Sequence, residues 1–478
     1  MAGDDLIRLS ATEVVEALTT GAVSPVDLID AAAARIQEVD GAVNALPTLC
    51  LDRARDRAAA LDGRPAPDDR RGWLAGLPLA VKDLVDVAGV RTTYGSPLFA
   101  NHVPARSDIL VERLEERGAL VIAKSNTPEF GAGANTFNEV FGKTRNPWDT
   151  ALTCGGSSGG AAVALATGMA WLATGSDLGG SLRTPASFCG VVGLRPSPGR
   201  VARAPATDPF DTLSVEGPMA RSVPDVALML DAMAGVHSED PLSRPAPDLS
   251  YVGALAGAPP ARIAWSPGLG FLPVDPEVAA VCKQALGAFE DIGASVDDAC
   301  PDFSDAGETF QVLRAANFAM AHAEKLAAKP EMLKPDIVWN VEKGLALSAD
   351  EIGRARRARA ALYARMVTFF ETHDLLATPA ALVPPFDVDQ RYVERVGDVA
   401  FDNYMDWLGI TFAITLTGCP AISVPCGFTE AGLPVGLQLV GPPHGEAALL
   451  AAAARFEETL GLESGLPIDP SPARLATP

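Results

Sequence analysis

Histidine is scarce in this chain, with five among 478 residues. Each is isolated and no His-Glu-x-x-His pair occurs, so a zinc site is not expected. Cysteine is thin too: seven residues, an odd number, scattered, with no Cys-x-x-Cys. That pattern excludes a disulfide framework and reads as reduced thiols in a cytoplasmic protein. Positive charge is in deficit, with 38 Lys+Arg against 60 Asp+Glu and a net charge of −22. A phosphate-backbone partner needs a basic face, so no nucleic acid partner is expected. Long apolar runs are missing. The longest uncharged one, Ala161 to Thr174, falls short of the roughly 20 residues that span a bilayer. Met1 to Ser10 carries Asp4 and Asp5 and lacks the basic start and apolar stretch of a secretory signal. No Gly-x-Gly-x-x-Gly run occurs. Phe141-Gly142-Lys143-Thr144 has Phe137 where a phosphate-binding loop requires glycine. No metal, organic cofactor or membrane is expected.

What is present is material for a large core: 48% hydrophobic residues and 21% charged. Ser10-Ala11-Thr12-Glu13 reads as a capping box, and Ser24-Pro25-Val26-Asp27 repeats the signal with proline at the first helical position. That second helix is expected to reach about Asp40. Leu79 to Lys82 reads as a short buried strand, Asp108 to Arg117 as a helix and Ala119 to Lys124 as a strand. Ala161 to Ala166 reads as a helix just after a serine-rich turn. Arg262 to Trp265 reads as a strand, followed by a helix opened by Asp275-Pro276 and running through Phe289. Another strand begins at Ala294. Residues 304–375 are helical in pattern. Ala421 to Pro425 and Pro434 to Val440 flank a turn and read as an antiparallel hairpin, which makes the sheet mixed. A last helix covers Glu446 to Leu460, and 461–478 reads as a tail. Repeats are absent and the Pro-rich stretches 196–209 and 241–260 are short. The expectation is one large α/β domain over 1–478, with helices around a central mixed sheet.

Chemistry concentrates in three glycine-rich or apolar strings. Two serines lie 24 positions apart, in Gly155-Gly156-Ser157-Ser158-Gly159-Gly160 and in Ser176-Asp177-Leu178-Gly179-Gly180-Ser181-Leu182-Arg183. A lysine ends the run Gly76-Leu77-Pro78-Leu79-Ala80-Val81-Lys82. A nucleophilic serine needs a base, and acyl transfer needs backbone N–H groups aimed at a developing oxyanion. Each string alone is a weak signal, because glycine-serine runs are usually loops and strand-end lysines usually reach solvent. Gly155-Gly156-Ser157-Ser158-Gly159 also matches the Gly-x-Ser-x-Gly elbow. That elbow needs an apolar strand before it, and the turn-like Asn146-Pro147-Trp148-Asp149-Thr150 stands there instead.

Together the strings resemble the amidase signature family. The likeness extends through Gly175 to Gly190, through Gly418-Cys419-Pro420-Ala421-Ile422-Ser423-Val424-Pro425, and through Gly432 to Gln438. It covers about residues 7–460. The resemblance implies a mixed, twisted sheet wrapped by helices and a Ser–cis-Ser–Lys triad. Carried onto this chain, Ser181 is the nucleophile, Ser157 the bridging serine behind a cis peptide bond, and Lys82 the base. The oxyanion hole falls on the backbone N–H groups of Leu178, Gly179 and Gly180, with Ser181 beside them. Asp177 and Arg183 support the loop. Asp83, next to Lys82 in a strand, points to the opposite face and need not pair with it. One departure from the family pattern is Cys154, which stands where proline is frequent and reads as a small buried thiol.

The resemblance also implies a small-molecule amide or carbamate substrate, with apolar or aryl amides favoured and esters within range, and a monomer or homodimer. The alternative it carries is the glutaminase subunit of a tRNA-dependent amidotransferase. Pocket walls are expected from 126–138, the Pro-rich loop 196–215 as a lid, and helices within 310–345 and 402–412. Phe130, Phe137, Phe210, Phe318, Trp339, Tyr404 and Trp407 are the aromatic candidates.

Overall fold

The computed structural model describes residues 3–61, 69–462 and 465–472. Eleven strands form one sheet. Their spatial order is Thr48–Leu49, Leu120–Ser125, Pro78–Lys82, Leu172–Asp177, Val215–Ala220, Val192–Arg195, Ala421–Phe428, Pro434–Val440, Leu375–Pro379, Arg262–Trp265 and Ser295–Asp298. Pro78–Lys82 pairs in parallel with both of its neighbours, whereas Leu172–Asp177 turns antiparallel to Val215–Ala220. The sheet is therefore mixed, as the hairpin around Thr429 to Leu433 required. That hairpin pairs Ala421 with Val440 and carries a bulge between Pro425 and Gly427.

Strands in the middle are buried on both faces. Pro78–Lys82, Leu120–Ser125 and Leu172–Asp177 have no residue that reaches solvent. Helices supply the cover. Both early capping boxes form, at Ser10/Glu13 and Ser24/Asp27, and each satisfies backbone donors the helix itself leaves open. The second helix runs past Asp40 to Val43, closed by Asn44 in the left-handed conformation. The helix opened by Asp275-Pro276 is interrupted at Leu286, giving Pro276–Ala285 and Gly287–Asp291. The helical stretch after 304 resolves into Ala306–Ala328, Pro335–Leu345 and Ala349–Phe369.

Part of the segment read as a tail is docked on the body. Ile468 N donates to Ala166 O, Ser471 N donates to Pro147 O, and Arg35 reaches Asp469 at 2.7 Å. Residues 473–478 lie outside the described residues. Among the described residues no helix is long and apolar enough to cross a membrane.

Candidate active site

Lys82 closes its strand with its side chain wholly buried. Its Nζ lies 2.8 Å from Ser157 Oγ, 2.8 Å from Ser158 Oγ and 2.9 Å from Ser176 Oγ. Ser157 follows a cis peptide bond from Gly156. Ser176 comes from the neighbouring strand, and its cross-strand partner is Glu216. Burial pushes the Lys82 pKa down, to about 7, against the pull of Glu216 and Asp177. Burial likewise pushes the Glu216 carboxyl above its ordinary range, with Arg203 and Lys82 opposing. Both members of that pair move toward neutrality, because a low-dielectric interior disfavours either charge.

Asp83 leaves Lys82 alone, as the strand parity predicts. It faces Lys124 at 3.3 Å and accepts from Thr93.

Ser181 stands just before the short helix Arg183–Cys189, and its carbonyl accepts from Ser158 N. The loop in front of it is held by Asp177. That carboxylate accepts from Gly180 N at 3.0 Å, Leu182 N at 3.1 Å and Arg183 Nη2 at 2.8 Å, and lies 3.2 Å from Arg195 Nη1. Burial alone would raise its pKa. The two guanidinium groups outweigh it and hold the carboxyl well below the usual range. The Gly180 N–H is thus already committed to Asp177. Among the described residues no side chain or loop carbonyl takes the N–H of Leu178, Gly179 or Ser181. Gly180 itself is irreplaceable on two counts. Its φ is +113°, and an added Cβ would lie 2.2 Å from Thr411 Oγ1, which is fixed by donating to Gly179 O.

Ser157, Ser176 and Ser181 open onto one small cavity of about 90 Å³. Leu84, Phe130, Leu178, Gly179, Arg314, Phe318, Met405 and Leu408 complete most of its wall. A larger cleft of about 760 Å³, lined by Phe210, Arg244, Arg356, Arg359 and Tyr363 among others, contains none of the three serines and not Lys82. We assign the chemistry to the smaller cavity, since a reacting carbonyl has to meet a serine hydroxyl, and Lys82 stands directly behind Ser157 on that wall.

Of the aromatic candidates, Phe130 and Phe318 line the serine cavity. Phe137, Phe210, Trp339, Tyr404 and Trp407 do not. Phe137 sits against Lys334. Phe210 is 69% exposed on the rim of the other cleft. Trp339 packs edge-on to Tyr404, and Trp407 is buried against Phe386. From Ala306–Ala328, one helix face reaches the cavity through Arg314 and Phe318, four positions apart. Sequence reasoning overlooked Ser158, Ser176 and Arg314. The two serines belong to the very strings that drew attention, and only their direction was hidden. None of the five histidines lines the serine cavity. Cys154 is buried, and burial pushes its thiol up to about 12, so it is no second nucleophile.

A buried lysine of depressed pKa, at the end of a parallel strand and flanked by two serines from a glycine-rich turn and one from the neighbouring strand, narrows the class of protein sharply. The chain belongs to the amidase signature family, and residues 27–450 match the family described as Amidase. Among its relatives, an acylamidase of Rhodococcus erythropolis is 36% identical over 464 residues, covering 96% of each chain. A glutamyl-tRNA(Gln) amidotransferase subunit from Moorella thermoacetica is 36% identical over 487 residues, covering 95% of this chain and 97% of that protein. In structure, a bacterial aryl acylamidase of the same family superposes with a TM-score of 0.86 at 28% identity, over 94% of this chain and 96% of its own. A 6-aminohexanoate cyclic dimer hydrolase does so with 0.85 at 26% identity, over 95% and 98%. The protein is an amidase-family enzyme.

Proposed function

We propose that this enzyme hydrolyses the C–N bond of apolar or aryl amides through a Ser181 acyl-enzyme. The observation that carries the reading is Lys82 Nζ, buried and in no ion pair among the described residues, 2.8 Å from the Ser157 hydroxyl on the wall that Ser181 shares. A neutral amine has two N–H donors and one lone pair. Among three hydroxyl neighbours, two accept from it and one donates to it. Ser158 is turned toward the Ser176 carbonyl, 3.4 Å away. Ser157 and Ser176 both face the cavity, and the reading gives the donor role to Ser157, which lies between the amine and the cavity that Ser181 lines.

The steps follow. Ser181 Oγ attacks the substrate carbonyl as its proton passes to Ser157, whose own proton passes to Lys82. The N–H groups of Leu178, Gly179 and Ser181 stabilise the oxyanion, and Gly180 contributes once its N–H is shared with or released from Asp177. The relay then returns a proton to the leaving nitrogen, the C–N bond breaks, and water releases the acid from the acyl-enzyme. Carbamates and esters present the same carbonyl geometry and are included in the reading. A cytoplasmic setting fits seven free cysteines among the described residues.

The second reading, a glutaminase subunit of a tRNA-dependent amidotransferase, is favoured by one observation: the Moorella protein is as similar as the acylamidase. The purified chain assayed alone on anilides, aryl carbamates, esters and glutamine separates the two. Turnover of anilides without partners supports the hydrolase; inactivity on everything until partner subunits and tRNA are supplied supports the glutaminase.

A further inference from the structure

Arg314 is the one charged side chain on the wall of the serine cavity. It is 3% exposed. A guanidinium does not deprotonate in a protein, so unlike Lys82 it keeps its charge when buried. Buried cations are normally held by a carboxylate. Elsewhere in this molecule they are: Arg183 and Arg195 share Asp177, and Lys124 has Asp83. Among the described residues no carboxylate forms an ion pair with Arg314. Its partners are neutral: Asn340 Oδ1 and the Tyr404 hydroxyl, the latter at 2.7 Å. The Phe318 ring lies beneath its guanidinium carbon at 4.2 Å and the Tyr404 ring at 5.4 Å. These contacts fix the planar fork without neutralising it.

From this we infer that Arg314 determines substrate specificity by binding an anionic group, and that the substrates are amides with an apolar or aryl body bearing a carboxylate. The inference rests on the hydrolase reading above and names its substrate class. The remaining wall fits such a molecule. Leu84, Phe130, Leu178, Met405 and Leu408 offer apolar surface, and no aspartate or glutamate lines the cavity to repel an acid. A carboxylate accepts two parallel N–H bonds from a guanidinium, which fixes direction as well as affinity. The scissile carbonyl is then oriented toward Ser181 by a contact made at the far end of the substrate, so binding energy is spent on positioning.

Two matched pairs test this: succinanilate against butyranilide, with the charge on the acyl side, and 4-acetamidobenzoate against 4-acetamidotoluene, with the charge on the amine side. In the wild-type enzyme the charged member of at least one pair is expected to have kcat/KM about 10- to 100-fold higher, the range of a charge-assisted hydrogen bond. Arg314→Met should erase that preference chiefly through KM, read as the ratio of kcat/KM between the two members of each pair. Arg314→Lys should keep part of it. Equal kcat/KM within both pairs for the wild type overturns the inference without recourse to any variant. So does a preference that survives in Arg314→Met. Calorimetry on the Ser181→Ala variant reads binding apart from turnover. Tighter binding of succinanilate or 4-acetamidobenzoate than of the neutral partner, lost on adding Arg314→Met, supports the anion site even if no amide is hydrolysed. Hydrolysis of both members at equal rates leaves the hydrolase reading standing and sinks this one.

Discussion

Two lysines lie wholly buried in adjacent strands of one sheet, and their surroundings could hardly differ more. Lys82 is ringed by three serine hydroxyls. Lys124 has Asp83 at 3.3 Å, the Val85 carbonyl at 2.6 Å and Thr92 Oγ1 at 2.8 Å. Strand parity separates them. Val81 is the register partner of Lys124, so Lys124 projects on the face opposite Lys82. Asp83, one residue beyond Lys82, joins Lys124 on that face. Burial lowers the pKa of both. Around Lys124, Asp83 opposes the shift at contact distance; around Lys82, the opposing charges are Glu216 and Asp177, neither in an ion pair with it. Burial alone therefore does not make a lysine a base. What distinguishes the two is that hydroxyls accept from an ammonium and also donate to an amine, whereas a carboxylate accepts only.

The sharpest way to break this contrast is to remove each amine. Lys82→Met is expected to lower kcat by about 10³-fold, the scale of a lost general base, while thermal stability holds or rises. Ser181→Ala should cost at least as much, since the hydroxyl proposed to attack the carbonyl is gone. Steady-state rates on a reactive anilide measure both. Activity of Lys82→Met within tenfold of wild type removes the lysine from the proton relay. Lys124→Met should do the reverse. It strands Asp83 in the interior, a loss of about 3–5 kcal/mol in denaturant unfolding, with kcat per folded molecule changed by only a few-fold.

Sequence reasoning reached some of this and not the rest, for physical reasons that differ by residue. Lys82, Ser157 and Ser181 drew attention through three strings that are weak singly and specific together in their likeness to the family; the structure brings Lys82 to Ser157 and sets Ser157 and Ser181 on one cavity, while their roles remain a proposal. The mixed sheet was legible from the hairpin at 429–433, since two apolar runs joined by a short turn must pair antiparallel. The pocket was legible by segment only. The stretches 126–138, 196–215, 310–345 and 402–412 all supply wall residues: the candidates Phe130 and Phe318 are among them, with Ser214, Arg314, Met405 and Leu408 in place of Phe137, Phe210, Trp339 and Trp407. Which face of Ala306–Ala328 meets the cavity depends on how that helix packs on Pro335–Leu345 and Ala349–Phe369, a tertiary outcome that no local pattern encodes. Phe210, in the Pro-rich loop, found a different cleft altogether. The break at Leu286 likewise left no mark in the hydrophobic pattern.

The pH dependence sharpens the contrast in a second way. Only the neutral form of Lys82 takes a proton, and burial has brought its pKa down to about 7. Below that value the active fraction grows about tenfold per pH unit, and above it the rate levels. The expected profile of kcat/KM on a non-titrating anilide therefore climbs from pH 5 to about 7 and flattens toward pH 9. Glu216, raised by burial, lies on the same face and is part of the same titration. Glu216→Gln removes a charge that favours the ammonium, so the limb should shift to lower pH. A profile unmoved by this change, or one flat from pH 5 to 9, assigns the base elsewhere.

The smallest effect separates the two serines that sit equally far from Lys82. Ser157 and Ser158 are both 2.8 Å from Nζ, adjacent in sequence and identical in chemistry. Distance cannot choose between them, but direction does. Ser157 opens to the cavity that holds Ser181, whereas Ser158 is fully buried, with its amide on the Ser181 carbonyl and its hydroxyl toward the Ser176 carbonyl. Ser157→Ala interrupts the path from Ser181 to Lys82 and should lower kcat by about 10²-fold or more. Ser158→Ala removes one acceptor from the amine and leaves the path intact. It should cost about 1 kcal/mol, close to a fivefold fall in kcat, because one neutral hydrogen bond is lost beside a lysine that keeps two others. Measured under the same conditions, the ratio of the two losses is the quantity of interest. A ratio near one would mean that the proton travels through either hydroxyl, and that Ser157 holds no special place beyond facing the substrate.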